Sequence, residues 1–424
     1  MSLRDHSASS RPRHGAWWAH GDALRRVVTD LLAHELAALR PGSLPPPLPW
    51  PPGLQFGRDL GADSLDLMGL GTALAEALHL QRAAIDAQLL ARPCLGDWIA
   101  SARGGLDGGA EDGSPEPGLT FRTSGSAGSP KRCTHALATL EQEVAALAEL
   151  LPGRRRILVA VPAHHIYGFL FTVLLPWHLG RQPGAAPVDV VDVRGAGPAA
   201  LAALAQPGDL VVAHPLWWDA AARLAPACAP DVVGVTSTAP CPDTLAAGLA
   251  AAGLRLVQVY GSSETAGVGW RERAGAPFAL LPHWRRTDDA GALDRVLPDA
   301  TVRRYPLQDR LDWRDATHFL PAGRIDAAVQ VGGTNVFPAY VAEVLELHPD
   351  VDAAAVRLMR PDEGQRLKAF VVARSGMDVD ALRAGLPAWA AARLTAPERP
   401  VAWTFGPRLP RQASGKPADW IIDG

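Results

Sequence analysis

The stretch Leu119 to Lys131, LTFRTSGSAGSPK, brings together residue types that hold a phosphate. Hydroxyls at Thr123, Ser124 and Ser126 alternate with Gly125 and Gly128, and Lys131 follows Pro130. Small residues let backbone N–H groups approach an anion, hydroxyls add hydrogen bonds, and the lysine supplies a mobile charge. The stretch is not a Walker A loop, because Pro130 precedes the lysine and the GxxxxGK(S/T) spacing is absent. A Ser/Gly-rich solvent turn has the same composition, so this loop alone leaves both readings open.

Six further segments follow in order: PAHHIYGF at Pro162 to Phe169, STAP at Ser237 to Pro240, VYGSSET at Val259 to Thr265, GRID at Gly323 to Asp326, VGGTNVFP at Val331 to Pro338 and LPRQASGK at Leu409 to Lys416. With them, the region from Leu119 to the C-terminus resembles the acyl-adenylate-forming superfamily. That group includes acyl-CoA and aryl-CoA ligases, nonribosomal adenylation domains and luciferases. The resemblance implies that Thr123, Ser124, Gly125, Ser126, Gly128 and Lys131 cradle the phosphates of ATP. It sets Ser237, Ala239, Tyr260, Gly261 and Ser263 around the adenine, and Glu264 on a magnesium ion, which suits a hard cation's preference for carboxylate oxygen. Asp309 would accept hydrogen bonds from the ribose and Arg324 would contact the same sugar or phosphate.

Lys416 would reach the carboxylate and the bridging oxygen from a mobile tail, and Asp326 would be the hinge on which the last domain turns between adenylation and thioester formation. His165 would shape the acid pocket or gate the thiol. Taken singly, each residue has a plainer reading: Tyr260 and His165 as core, Glu264 as a surface acid, Lys416 as a solvated lysine. Asp309 departs from the family pattern, since Leu307 and Gln308 stand where relatives carry Ser/Thr-Gly, although Arg324 follows fifteen positions later. The span from Tyr260 to Ala322 is short and the large lobe that precedes the phosphate loop in relatives is missing. Part of the acid-pocket wall is therefore expected from elsewhere in the chain or from a partner subunit.

A second resemblance lies upstream. RDLGADSLDLMGLGTALAEALHL at Arg58 to Leu80 is similar to the prosthetic-group site of an acyl carrier protein, which implies 4'-phosphopantetheine on Ser64. Asp63 or Ser64 capping an amphipathic helix explains the same residues.

These groups need a scaffold. Leu24, Val27, Val28, Leu31, Leu32, Leu36 and Leu39 follow the spacing of one helix face, and Leu65, Leu67, Met68, Leu70, Leu74 and Leu78 predict a second helix after Asp63 and Ser64. A third short helix is expected near Leu95 to Ser101. The run RGGLDGGAEDGSPEPG from Arg103 to Gly118 reads as a flexible linker. Beyond it, short apolar runs at Arg156 to Val161, Leu210 to Ala213, Val232 to Val235 and Arg255 to Val259 alternate with alanine-rich helical stretches, the pattern of an α/β layered sheet. The expected division is a loose N-terminus at 1–20, a helical carrier-like domain at 21–103, a linker at 104–118, a compact adenylate-forming core at 119–323 and a small, hinged α+β domain at 324–424.

The 424 residues allow two to four domains at roughly 100–200 residues each. A formal charge of −3 leaves no general attraction for nucleic acid or anionic membrane. The 41 glycines and 38 prolines point to many turns. No apolar stretch reaches the 18 or more residues of a membrane span, and no signal peptide follows Arg4, Arg11 and Arg13, so the default compartment is the cytoplasm. Cys94, Cys133, Cys228 and Cys241 form no C-x-x-C pair, which argues against a disulfide framework or zinc site.

The resulting expectation is an ATP- and magnesium-dependent ligase that activates an aromatic carboxylic acid as its adenylate and passes it to the phosphopantetheine thiol of an acyl carrier protein. The layout is similar to hydroxybenzoate-activating ligases of bacterial aryl polyene and xanthomonadin pigment pathways. The alternatives are an aryl-CoA ligase using free coenzyme A, a catalytically silent scaffold of the same fold, or Ser64 as acceptor within the chain.

Overall fold

The computed structural model describes residues 16–40, 45–80, 89–108, 118–123, 131–224, 228–325, 328–411 and 418–422. Helices Ala23–Leu39 (α1), Phe56–Leu60 (α2), Ser64–Ala77 (α3) and Leu95–Gly108 (α4) come first. A hairpin of Gly118–Thr123 (β1) and Lys131–Ala136 (β2) leads into helix Leu137–Leu150 (α5).

The four apolar runs then form the parallel strands Arg156–Val159 (β3), Leu210–Ala213 (β5), Val233–Thr236 (β6) and Arg255–Ser262 (β7), and a strand not expected from sequence, Asp189–Asp192 (β4), pairs with β3. β5 and β6 are buried along their whole length, as strands covered on both faces must be. The sheet continues antiparallel through Ala266–Arg271 (β8) and Phe278–Leu280 (β9). Trp284–Arg286 (β10), Ala292–Val296 (β11) and Val302–Pro306 (β12) form a small separate sheet. Asp309–Trp313 (β13) and His318–Arg324 (β14) return to the large one, giving the order β13-β14-β9-β8-β7-β6-β5-β3-β4.

A hairpin, Val329–Val331 (β15) and Thr334–Val336 (β16), precedes a unit in which Val351–Leu358 (β17), Leu367–Ala373 (β18) and Pro400–Phe405 (β19) pack against helices Pro338–Glu346 and Val379–Ala391. The fold is thus α/β with an α+β unit at its end.

Several expectations give way here. Trp17 and Trp18 are buried, although 1–20 reads as a loose terminus: Trp17 meets Phe169 edge-on at 5.0 Å and Trp18 Nε1 donates to Asp107 at 2.8 Å. That same bond explains why α4 continues to Gly108 where the composition predicts linker from 104. The rest of the expected linker, 109–117, lies outside the described residues. Leu65 and Met68, counted on the apolar face of α3, are exposed. The helices of 21–103 do not close on a core of their own either. Leu24, Leu32, Leu74 and Trp98 belong to one buried cluster with Leu140, Val159, Phe169 and Val257, which merges them with the sheet.

Trp17 is therefore structural, and Trp17→Ala is expected to remove ~3–5 kcal/mol of stability by leaving an aromatic-sized cavity; urea unfolding of the variant against the parent measures it.

Candidate active site

Three motif segments leave from the C-terminal ends of parallel strands in the middle of the sheet: Pro162 to His165 after β3, Ser237 to Pro240 after β6, and Gly261 to Glu264 at the end of β7, with β5 between β3 and β6. Open α/β sheets bind ligands along that edge. β1 and β2 pair Thr123 with Lys131, so the two ends of the phosphate-type loop are held side by side. Ser124, Gly125, Ser126 and Gly128 between them lie outside the described residues, as do Asp326 and Lys416.

The acidic hairpin between β7 and β8 is the best-held part of the site. Gly261 approaches the Ala266 carbonyl so closely that a Cβ would lie 2.0 Å from that oxygen. Within the turn, the Ser262 N–H donates to Thr265 Oγ1 at 3.1 Å. His135 Nε2 bonds the Ser263 carbonyl at 2.7 Å. The Gly267 N–H donates to Glu143 Oε1 at 2.7 Å, and Trp284 Nε1 donates to the Gly267 carbonyl at 2.7 Å. Glu143 and Arg295 form a fully buried pair at 3.5 Å. Burial raises the Glu143 carboxyl and lowers the Arg295 guanidinium, while each partner favours the other's charged form.

On this frame Lys131 Nζ lies 2.6 Å from Glu264 Oε1. Burial alone would raise the Glu264 carboxyl; the Lys131 ammonium and hydrogen bonds from the Glu264 backbone and Ser262 hold it below its ordinary value. The Lys131 side chain is half exposed, at 52%, and such pairs contribute at most about 1 kcal/mol. A polyphosphate and a divalent cation can therefore exchange it for two stronger pairs. Glu264 is half-buried and ionised, and its carboxylate oxygens face a lysine that phosphate would attract away, which fits a magnesium ligand.

The residues expected around the nucleoside come from the other strands. Tyr260 Oη donates to Asp309 Oδ2 at 2.7 Å, and Arg324 Nε lies 3.7 Å from Asp309 Oδ1. β13 and β14 pair Asp309 with Arg324 in register, so Asp309 keeps its place without the Ser/Thr-Gly that usually precedes it. Burial, then the Asp309 charge, push the Tyr260 phenol well up, so it stays a donor. Ser237 and Ala239 are half-buried beside Thr238, whose φ is +77°. A Cβ on Gly333 would meet Thr238 Oγ1 at 3.1 Å, which places the turn between β15 and β16 against this loop.

In the segment expected to line the acid, the Tyr167 hydroxyl lies 3.1 Å from the Ala213 carbonyl and 2.9 Å from that of Val235, between which its one proton is shared. Gly168 lets its helix fold back on the preceding segment, because a Cβ there would sit 1.9 Å from the Pro162 carbonyl oxygen. His165 packs against His164 with ring centroids 4.0 Å apart, and burial lowers its pKa to about 4.

Three positioning groups escape a motif search. Glu143 reads as a helix-surface acid, yet it shares the face of Leu140, Val144 and Leu147. His135 alternates inward with Cys133 along β2. Lys368, inside the apolar run LKAFVVA, is fully buried, with Nζ at 2.8 Å from Glu363, 3.0 Å from Asp419 and 2.8 Å from the Trp420 carbonyl. The Ala418 N–H also donates to the Pro410 carbonyl at 3.0 Å, so the described residues on either side of 412–417 are held together.

Residues 119–303 match the family model of AMP-binding enzymes, and residues 340–416 match that of the AMP-binding enzyme C-terminal domain. The chain is 42% identical over 366 residues to a 4-coumarate--CoA ligase of Rhodobacter capsulatus, covering 85% of this chain and 90% of the relative. It is 40% identical over 363 residues to a 4-coumarate--CoA ligase of Halorhodospira halophila, covering 84% and 87%. Among solved structures, the amide bond synthetase McbA from Marinactinospora thermotolerans aligns with a TM-score of 0.58 at 21% identity, over 93% of this chain and 92% of that one. A double mutant of o-succinylbenzoate CoA synthetase from Bacillus subtilis aligns with a TM-score of 0.57 at 19% identity, over 70% and 67%. At these identities the two structures speak for the adenylate-forming fold alone.

The Lys131–Glu264 pair makes a direct prediction. Lys131→Met removes the ammonium that opposes burial, so the Glu264 carboxyl should titrate higher than in the parent; carbon NMR of glutamate-labelled protein, assigned with Glu264→Gln, reads the shift, and an unchanged titration contradicts the pairing.

Proposed function

The chain belongs to the family of AMP-binding enzymes, and from that premise we propose that it joins an aromatic acid of the 4-coumarate kind to the thiol of coenzyme A. Adenylate-forming ligation of an acid to a thiol is the activity of the relatives that match nearly the whole chain. The observation that carries the reading is the gathering of Lys131, Glu264, Tyr260, Asp309 and Arg324 at one sheet edge.

In the first half-reaction a carboxylate oxygen of the acid attacks the α-phosphorus of ATP, the bond to the bridging oxygen breaks, and pyrophosphate leaves. Lys131 draws the outer phosphates toward the β1–β2 loop as Glu264 releases it. Glu264 would hold magnesium, which neutralises charge on the departing pyrophosphate. Tyr260 lies against the adenine, and Asp309 accepts hydrogen bonds from the ribose with Arg324 beside it. Ser237, Ala239, Gly261 and Ser263 line the base, and Thr123, Ser124, Gly125, Ser126 and Gly128 the phosphates. Lys416 reaches the reacting oxygens. In the second half-reaction the chain turns about Asp326, the sulfur of coenzyme A loses its proton and attacks the acyl carbon, and AMP leaves. His165, neutral at physiological pH, borders the acid and thiol path.

Coenzyme A takes the place of the carrier protein expected from sequence because the relatives matched over most of the chain are named as CoA ligases, and for the same reason the acid is hydroxycinnamate-like and not hydroxybenzoate. Phosphopantetheine on Ser64 has no part in the proposal. Asp63 accepts the N–H groups of Leu65 and Asp66, and Asp66 accepts that of Asp63, so helix capping accounts for the Asp-Ser-Leu sequence.

The test is ATP–pyrophosphate exchange driven by 4-coumarate, followed by product analysis with coenzyme A and with a phosphopantetheinylated carrier. Exchange with 4-coumarate and a coenzyme A thioester are expected, and Lys416→Ala should lower exchange by roughly 100 to 1000-fold, as losing one transition-state donor does. Exchange that survives Lys416→Ala, or product on the carrier alone, contradicts the proposal.

A further inference from the structure

Three imidazoles meet where α1 packs on the segment before Ile166: His34 on the helix, His164 and His165 on the segment. Ring centroids are 4.7 Å apart for His34 and His164, 4.0 Å for His164 and His165, and 5.6 Å for His34 and His165. One ring nitrogen from each lies within 4.8 Å of the other two. Both ring nitrogens of His164 are shielded from solvent and neither has a hydrogen-bond partner. A buried donor or acceptor left this way is costly, and coordination through one of these nitrogens would satisfy that one.

The surroundings hold the three rings in place. Asp30, one turn before His34 and on the same face of α1, accepts the Ala163 N–H at 2.6 Å. The segment carrying His164 is therefore fixed to the helix carrying His34 by a bond next to the cluster. The nearby cations are already matched: Arg194 pairs with Asp30 and Asp192, and Arg122 with Glu35 and Glu76. His34 reaches the surface while His164 lies deeper; desolvation by the packed surroundings holds all three imidazoles below their ordinary pKa, so each offers a free lone pair at neutral pH.

We propose that His34, His164 and His165 form a three-histidine site for a divalent transition-metal ion of the zinc class, with a fourth position open. Imidazole nitrogen is the ligand such ions select, and tetrahedral ligands at about 2.0–2.1 Å lie about 3.4 Å apart. Ring rotations of little more than an ångström close the present spacing to that value. The ion would staple the N-terminal helices to the segment that opens the acid side of the site. It is separate from the magnesium position at Glu264 and takes no part in adenylation.

The test titrates the full chain, free of any affinity tag and stripped with a chelator, with cobalt(II). About one ion per chain is expected, with the visible absorption of a tetrahedral site that zinc abolishes. His164→Leu and His34→Leu should each weaken binding at least about 10-fold, the lower end of what even an outer-shell partner costs, while His283→Leu, outside the cluster, should titrate like the parent. A parent protein with no tetrahedral absorption overturns the site without reference to any variant. A His164→Leu protein that titrates like the parent overturns it equally, and assigns the ion to other histidines such as His6 and His14.

Discussion

The hairpin between β7 and β8 is pinned from both sides by buried polar groups, and the rest of the site is arranged around it. Glu143 takes one of its N–H groups, Trp284 and His135 donate to its carbonyls, and Arg295 stands behind Glu143 with no exposure to solvent. Buried polar groups fix geometry only when each is satisfied, and losing one partner leaves the others in low dielectric. The turn is thereby rigid at the point where Glu264 must face an arriving polyphosphate. Its own contact with Lys131 is, by contrast, weak and half exposed. A rigid carboxylate holding a loosely paired lysine is suited to an exchange of partners when nucleotide enters.

The same contrast runs through the remainder of the chain. Asp309 and Arg324 are fixed by strand register and Tyr260 by aromatic packing on Phe319 and Phe278. Among the described residues flanking Lys416, Pro410 and Ala418 are joined by a backbone bond and Asp419 pairs with Lys368. The groups proposed to recognise the nucleoside thus sit on the large sheet, and the lysine proposed to act on the reacting oxygens belongs to the small unit, which under the proposal turns to carry it in or out.

Motif residues were legible in the sequence because their chemistry imposes residue type and spacing: glycine where backbone must approach a phosphate, an acid after the serines of the hairpin, a lysine on a Gly/Ser tail. The parallel strands were legible because burial on two faces leaves short, almost purely apolar runs. What the sequence hid depends on distant partners. Trp17 and Trp18 stand beside a polar, arginine-rich stretch that suggests disorder, and only Phe169 and Asp107 account for their burial. The glycines of α4 suggest a linker, but the helix reaches Gly108 with Ala102 in the core. Leu65 and Met68 fit a helical period yet face solvent, since α3 rests on α1 through its other side. Glu143 and Lys368 show why an isolated charge in an apolar run merits a search for its partner. The helices of 21–103 look like an independent module in sequence and instead complete the core of the sheet.

The central claim is that the pinned hairpin presents Glu264 to magnesium on ATP. Calorimetric titration of ATP into the protein, with and without magnesium, tests it most directly when the parent is compared with Glu264→Gln. The account predicts that magnesium strengthens ATP binding in the parent and that this gain is lost in Glu264→Gln. An equal magnesium gain in both proteins would contradict it.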